Sequence, residues 1–498
     1  MLLRYFYNEK LAHASYLVGC QQTGEAIVID PARDVTPYQR VAQAEGLQIV
    51  AATETHIHAD FVSGARELAE QWQAKLYLSA EGGKDWQYRY VGQLGHRQCG
   101  GSDNYELVRD GDRFTVGNVA FDVMHTPGHT PESMSLLLTD CGGQAERPMG
   151  IFTGDFVFVG DVGRPDLLEK VGGAAGSAVS GARAMFRSLQ TFKQLPDYVQ
   201  VWPAHGAGSA CGKALGAVPS STVGYEKLYN WALAHTDETA FVTALLSGQP
   251  EAPTYFAAMK QVNKDGPPLL KELPQPERIQ TGERLRELLP SRARIVDTRP
   301  CDAFAKRHVA GTINIPYNRS FTNWAGWLID DTRPLYFLVA AEAVPDMLRD
   351  LRAIGIDRVA GYMHLDDAFT QCADLFNESY REAEPAEMCE PIAVGDVTLI
   401  DVRNRDEWQE GHIAGAHHMM LGTLPEGLDE VDELIERTSG KPLLLQCRSG
   451  ARSAIAASIL QAYGVKEVVN LQGGIDDWQA KGLPVVRPSV QKFPCERK

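Results

Sequence analysis

Short apolar runs alternate with helix-like stretches through the first half of the chain. Residues 24–30 (GEAIVID) are a continuous apolar run, expected as a buried strand, and residues 36–46 carry a helical pattern that stops at Gly46. Residues 47–55 are expected as a second buried strand, 64–72 as a helix and 75–79 as a further strand. Farther on, residues 119–130 (VAFDVMHTPGHT) and 149–160 (MGIFTGDFVFVG) each run from an apolar strand into a polar, glycine-containing turn. This alternation predicts an α/β fold, with chemistry gathered where strands end.

The pattern changes near residue 251. Proline and charge dominate 251–278, which is expected to lie in a connecting segment, 251–285. A second boundary falls near 381–391, and the sequence on its two sides repeats. Residues 293–318 match 397–422, 334–342 match 442–450, and 353–363 match 462–472. The expected domains are therefore 1–250, 286–382 and 392–489, the last two being small α/β copies of one another.

Bulk properties narrow the classes of function. A chain of 498 residues is too long for one core. A formal charge of −16, spread diffusely, argues against nucleic acid as a partner. No apolar run reaches the roughly 18–20 residues needed to span a bilayer, so no membrane partner is expected. The N-terminal stretch carries Arg4, Glu9 and Lys10 and reads as a first strand, not a signal peptide. Nine dispersed cysteines without CxxC pairs suggest a reducing, cytoplasmic setting.

Metal-capable side chains cluster at strand ends. Thr55-His56-Ile57-His58-Ala59-Asp60-Phe61 follows a strand; His129 lies in a Pro-Gly loop, Asp155 in a Thr-Gly-Asp turn and His205 in Pro-Ala-His-Gly. Along an extended strand His56 and His58 would face opposite sides, so a bend after Thr55 is needed to turn both inward. Imidazole and carboxylate suit zinc or non-haem iron.

This order of motifs resembles the metallo-β-lactamase superfamily over about the first 245 residues, which implies an αββα sandwich. The stretches around SYLVG, EAIVIDP and TGDFVFVGDVGRPD resemble its persulfide dioxygenase branch. Dinuclear hydrolases of the superfamily, such as glyoxalase II, carry HxHxDH; here Phe61 stands at the last position. A phenyl ring cannot ligate, so a second metal loses a ligand. One iron on two imidazoles and a carboxylate suits dioxygen chemistry, and two metals bridging hydroxide suit hydrolysis. The resemblance implies one Fe(II) per chain on His56, His129 and Asp155. His58, Asp60 and His205 become groups that orient ligands or face substrate. Arg164 is either an ion-pair partner of Asp161 or Asp166, or a cation near an anionic persulfide.

A second constellation lies in the last copy. Cys447-Arg448-Ser449-Gly450-Ala451-Arg452 sits between an apolar strand and a helix. Backbone N–H groups, the helix dipole and two arginines there favour anions, a nucleophilic thiolate included. This loop, with the sequence flanking it, resembles rhodanese sulfurtransferases over about 392–488, a family with parallel sheets. Four residues separate Cys447 from Arg452, one fewer than in related phosphatase loops, which suits a sulfur atom better than a phosphate. The resemblance makes Cys447 the sulfane-sulfur carrier, the N–H groups of Arg448 to Arg452 its cradle, and the arginine side chains the attraction for thiosulfate or sulfite. Asp401 and Arg403 are expected to support the fold. In the first copy Val339 stands where Cys447 does and both arginines are missing, so that copy is expected to be silent. Cys301 is expected to be structural and away from the loop position.

Together these resemblances imply oxidation of a low-molecular-weight persulfide, on glutathione or another thiol, by O2 to sulfite. Rhodanese transfer of sulfane sulfur onto sulfite would then give thiosulfate, a route for sulfide detoxification. Two active centres in one chain raise effective concentration. The family resemblance implies a homo-oligomer, dimer or tetramer. The rival readings are a dinuclear thioester hydrolase of the glyoxalase II type with a sulfurtransferase domain, and a rhodanese pair that only docks partners or senses sulfur.

Overall fold

The structure is a computed structural model and describes residues 1–94, 104–172, 176–330 and 332–487. Cys99 and Cys495, for which the sequence offers no activating context, lie outside these residues. Two compact units result: Met1–Leu273 with Leu348–Asp357, and Pro274–Met347 with Arg358–Lys498.

The first unit holds two six-stranded sheets. One runs in order through β1 (Leu2–Asn8), β2 (His13–Cys20), β3 (Glu25–Ile29), β4 (Gln48–Thr53), β5 (Lys75–Ser79) and β6 (Tyr105–Val108). The other contains β7 (Arg113–Val116), β8 (Val119–His125), β9 (Met134–Asp140), β10 (Gly150–Gly154), β11 (Gln200–Pro203) and β12 (Ser221–Thr222), in the order β12-β11-β10-β9-β8-β7. One face of each sheet packs on the other through Tyr16, Val18, Ile27, Ile29, Phe121, Leu136, Leu138 and Phe152. Tyr77 and Phe114 stack across this interface with ring centres 3.9 Å apart. Helices Thr36–Ala44 and Ala65–Trp72 cover the first sheet, whose far face buries Leu17, Val28, Ala52 and Leu76. Helices Ser177–Phe192 and Glu238–Leu246 cover the second. Strands buried on both faces read as unbroken apolar runs, which is why β3 and β4 are legible in the chain. The result is the expected αββα sandwich.

Residues 251–285 do more than connect. They contain the helix Tyr255–Asp265, whose Phe256 and Met259 are buried in the first unit, and the start of the helix Gly282–Leu288. Proline and charge at the ends of the stretch mask an apolar pair at helical spacing. Segment Leu348–Asp357 is fixed to the same unit by the buried Arg33 guanidinium, which pairs with Asp357 at 2.5 and 2.9 Å and donates to the Arg352 carbonyl at 2.6 Å.

The second unit holds the repeat. β13 (Glu277–Ile279), β14 (Arg294–Asp297), β15 (Ile313–Asn314), β16 (Leu335–Val339) and β17 (Val359–His364) form a parallel sheet in the order β13-β17-β16-β14-β15. β18 (Arg381–Ala383), β19 (Thr398–Asp401), β20 (His417–His418), β21 (Leu443–Gln446) and β22 (Val468–Leu471) form another, in the matching order β18-β22-β21-β19-β20. Asp297–Arg299 and Asp401–Arg403 are equivalent buried ion pairs that close the turn after β14 and β19. Among the described residues no helix is long and apolar enough to cross a membrane.

Candidate metal centre and thiolate loop

The bend after β4 is imposed by groups from elsewhere in the first unit. Asp30, at the end of β3, accepts hydrogen bonds from the Thr55 amide at 2.7 Å and the Thr55 hydroxyl at 3.0 Å. Asp30 itself lies at φ +50°, a left-handed conformation that aspartate tolerates better than most residues. Glu132 accepts from the Ile57 amide at 2.8 Å. From helix Tyr255–Asp265, Asn263 donates to the carbonyls of His58 and Phe61 at 2.8 and 2.7 Å, and the Tyr255 hydroxyl donates to that of Asp60 at 3.0 Å. The stretch expected as a connector thus holds the motif loop in place. His56 and His58 turn the same way, with ring centres 4.2 Å apart.

His56, His129 and Asp155 converge, each buried, with one ligand atom apiece within 4.8 Å of the others. The His56 Nε2 and His129 Nε2 atoms stand 3.8 and 3.5 Å from Asp155 Oδ2. Ligand atoms about 2.1 Å from a common metal stand about 3–3.5 Å apart, so the gap is sized for a cation. The tautomers fit as well. His56 Nδ1 lies 3.1 Å from Thr55 Oγ1, and His129 Nδ1 lies 2.8 Å from the Arg164 carbonyl. Nδ1–H donation in both rings leaves Nε2 with its lone pair free toward the metal. Burial pushes both imidazoles below their ordinary pKa, and neutral imidazole is the form that ligates. Among the described residues His56 Nε2 and Asp155 Oδ2 are buried without a hydrogen-bond partner, as expected of donors reserved for an ion. This is a metal-binding site with histidine and aspartate ligands.

Gly154 makes the convergence possible. It sits at φ +55°, and a Cβ there would collide with the Thr55 side chain. A glycine lets the end of β10, and with it Asp155, approach the bend after β4.

Asp60, His205 and Cys211 form a second buried group of three donors, but its spacing differs. His205 is 2.7 Å from Asp155 Oδ1 through Nδ1 and 2.7 Å from Asp60 Oδ2 through Nε2. These are hydrogen-bond distances, filled by protons. Burial opposes a charge on His205, but the two carboxylates outweigh it and hold its pKa well above the usual value. Burial likewise pushes Asp60 and Asp155 upward, and His205 outweighs it, leaving both below the ordinary carboxylate range. His58 is burdened by burial too, yet Asp30, 3.1 Å from its Nε2, raises it to about 9. Asp30 therefore orients Thr55, His56 and His58 together. Asp30→Asn is expected to weaken metal binding about 10- to 100-fold, read by chelator competition.

Several site residues differ from their sequence reading or escape it. The Arg164 guanidinium is fully buried and paired with Asp166 at 2.8 and 2.6 Å, so the ion-pair alternative describes its side chain. What Arg164 gives the site is its carbonyl, on His129. Phe61 is packed between the imidazoles of His58 and His13, with ring centres at 4.4 and 3.8 Å. His13 lies at the start of β2, 1% exposed, and no motif marks it. Cys211 follows His205 by six residues and stands in no motif of its own. Asp30 is legible in principle, being a strand-end aspartate like Asp155.

In the second unit Cys447 lies between β21 and the helix Ala451–Tyr463 and is fully buried. The Gly450 amide donates to Cys447 Sγ at 3.1 Å, with Gly450 at φ +94°, and the Ser453 hydroxyl lies at 3.4 Å. Arg448, Ser449 and Ala451 are exposed at the rim. Both arginine side chains expected to attract anions are ion-paired. Arg452 is held by Glu407 in a two-pronged pair at 2.6 and 2.7 Å, and Arg448 meets Asp476 at 3.2 Å. The Arg448 pair is exposed and weak enough to exchange for a ligand; the Arg452 pair stiffens the loop. Cys301, which stands apart from the Val339 position of its own copy, lies with its Sγ 4.0 Å from the Ala451 carbonyl of the other copy. Its thiol is pushed up to about 12, by burial first and then by nearby Glu382 and Cys447.

The comparisons with known proteins follow this division. The Metallo-beta-lactamase superfamily profile matches residues 9–205, and the Rhodanese-like domain profile matches residues 384–481. A solved structure, described as a metallo-beta-lactamase from Staphylococcus aureus subsp. aureus COL, is 43% identical with a TM-score of 0.63; the match covers 73% of this chain and 99% of that one. Persulfide dioxygenase ETHE1, mitochondrial, from Bos taurus is 28% identical over 41% of this chain and 68% of its own length. A beta-lactamase hydrolase-like protein from Xylella fastidiosa (strain Temecula1) is 29% identical over 55% of this chain. The chain spans 61% of that relative's length. Residues 9–205 therefore belong to the metallo-beta-lactamase superfamily, in a chain that joins this metal-binding domain to a rhodanese-like domain at 384–481.

Proposed function

We propose that the first domain is a mononuclear iron(II) persulfide dioxygenase and that Cys447 passes sulfane sulfur to its product. The observation that carries this reading is the contrast in spacing. His56, His129 and Asp155 leave a cation-sized gap, while His205 stands at hydrogen-bond distance from both Asp60 and Asp155. Two imidazoles and one carboxylate with open positions are the donor set of non-haem iron oxygenases. Similarity to persulfide dioxygenase ETHE1 supports the choice of metal and substrate. Iron held there would bring sulfur and dioxygen together and pass electrons between them.

The overall oxidation balances as RSSH + O2 + H2O → RSH + SO3²⁻ + 2H⁺. In the second reaction Cys447 takes the outer sulfur of another persulfide and releases RSH. Sulfite then removes that sulfur as thiosulfate and leaves the Cys447 thiolate. The Gly450 amide and Ser453 hydroxyl steady the sulfur of Cys447, and Arg448 is the cation that an incoming anion can borrow from Asp476. In the first domain His205 is the proton-bearing group closest to the ligands, held by Asp60. Arg164 orients His129, and Thr55 orients His56. The four segments 1–250, 251–285, 286–382 and 392–489, a cytoplasmic setting and a homo-oligomeric assembly belong to the same proposal.

The test is metal analysis and dioxygen uptake on the full chain with glutathione persulfide. One iron per chain, and uptake with sulfite and thiosulfate as products, is the expected result. Two zinc ions per chain without uptake would sink the reading. Similarity to a hydrolase-like relative, and the grouping of Asp60, His205 and Cys211, keep a dinuclear thioester hydrolase as the second reading. Cleavage of S-lactoylglutathione without dioxygen would favour it.

A further inference from the structure

We propose that His13 is a ligand-contacting residue of the metal pocket, its imidazole reserved for the small sulfur- or oxygen-bearing molecule that binds beside the metal. His13 is 1% exposed, and its Nε2 has no hydrogen-bond partner among the described residues. Its ring centre lies 3.8 Å from that of Phe61, 5.9 Å from His205 and 6.3 Å from His58. The residue therefore packs into the histidine cluster beside the metal gap, although 42 positions separate it from the start of the motif at Thr55.

Neither packing nor backbone structure calls for an imidazole here. The stack on Phe61 needs only a flat ring, and a phenyl would serve. The main chain does separate work: the Ala14 amide donates to the Ala204 carbonyl at 2.7 Å, and the Gly206 amide to the Ala12 carbonyl at 3.1 Å. These bonds pin the His205 turn to β2 whatever the side chain at 13. A buried nitrogen without a partner costs stability, and native interiors seldom keep one without a use.

Most other imidazole nitrogens in the pocket are committed. His205 uses both on carboxylates, and His56 and His129 turn Nδ1 to the protein and Nε2 to the metal gap. Among the described residues, His13 Nε2, His58 Nδ1 and Asp60 Oδ1 are left without a hydrogen-bond partner. The two free nitrogens belong to rings that pack against Phe61, at 3.8 and 4.4 Å. Phe61 thus does more than remove a ligand. It buttresses two hydrogen-bonding imidazoles whose free nitrogens have no partner among the described residues, and β2 brings an imidazole to the side of the cluster where position 61 carries none.

The proposal rests on the reading of the pocket as an iron site, and its test separates the two. Full-length, iron-loaded His13→Phe and His13→Gln are compared with wild type in four measurements. These are iron per chain, melting temperature, nitric oxide affinity by anaerobic electron paramagnetic resonance, and kcat and KM for glutathione persulfide. Expected for His13→Phe are full iron, a melting temperature equal or higher, and a loss of about tenfold or more in nitric oxide affinity or in kcat/KM. His13→Gln, which keeps a hydrogen-bonding group, should recover part of the loss. A loss in the nitric oxide arm places the contact on the oxygen side; a rise in persulfide KM places it on the sulfur side. Nitric oxide affinity and kcat/KM both within about twofold of wild type would overturn the proposal. A lowered melting temperature with iron lost in both variants would overturn it too, by showing a structural role. If wild type takes up no dioxygen, the dioxygenase reading fails and the nitric oxide arm alone decides on His13.

Discussion

Asp155→Ala is expected to purify with less than about a tenth of the wild-type iron and to lose dioxygen uptake by more than about 1,000-fold. The size of the effect follows from what Asp155 does with its two oxygens. Oδ2 faces His56 and His129 across the cation gap, and Oδ1 meets His205 at 2.7 Å. Removing the residue deletes the one carboxylate of the triad and takes from buried His205 one of its two carboxylate partners in the same step. Loss of a partner that merely orients a ligand costs about 10- to 100-fold in metal affinity or activity, so loss of a ligand that is also such a partner should cost more. Metal analysis after anaerobic reconstitution, with circular dichroism to show that the sandwich is intact, checks the result. Stoichiometric iron with uptake within about tenfold of wild type would remove Asp155 from the ligand set.

Cys447→Ser should split the two reactions. Dioxygen uptake is expected to stay within about twofold of wild type, while sulfur transfer from thiosulfate to cyanide falls by at least about 1,000-fold. The expected early product from persulfide and dioxygen changes from thiosulfate to sulfite. A hydroxyl at this position keeps the volume and can still meet Gly450 and Ser453, but oxygen does not carry a transferable sulfane sulfur. The loop should therefore fold and fail only in chemistry. Unchanged thiosulfate formation in the first turnovers would mean that Cys447 is not a carrier, and would leave the rhodanese pair as a docking or sensing module.

Elements whose signal is local are legible in the amino-acid order. β3 and β4 are buried on both faces and read as unbroken apolar runs, and His129 and Asp155 stand in glycine turns directly after strands. The repeat is legible because two copies of one fold keep the same apolar positions, and the two sheets share one strand order. The helix Tyr255–Asp265 is not legible, because flanking prolines and charges outweigh a single buried pair, Phe256 and Met259. Arg164 has two candidate partners in sequence, Asp161 and Asp166, and the fold chooses Asp166. The Glu407–Arg452 pair joins positions 45 residues apart, and Cys301 approaches a helix 150 residues away.

The sequence by itself determined the α/β architecture, the strand-end placement of His56, His129 and Asp155, the strand–loop–helix setting of Cys447 and the absence of a ligand at Phe61. Each depends on residue type and short-range spacing, which the chain carries in plain order. Only the tertiary structure decided which nitrogen of each histidine is free, which carboxylates are closed by protons, and that His13 reaches the pocket from β2. Those depend on partners brought together when the two sheets close. Hydrogen-bond direction and burial, unlike periodicity, exist only once that closure has been made.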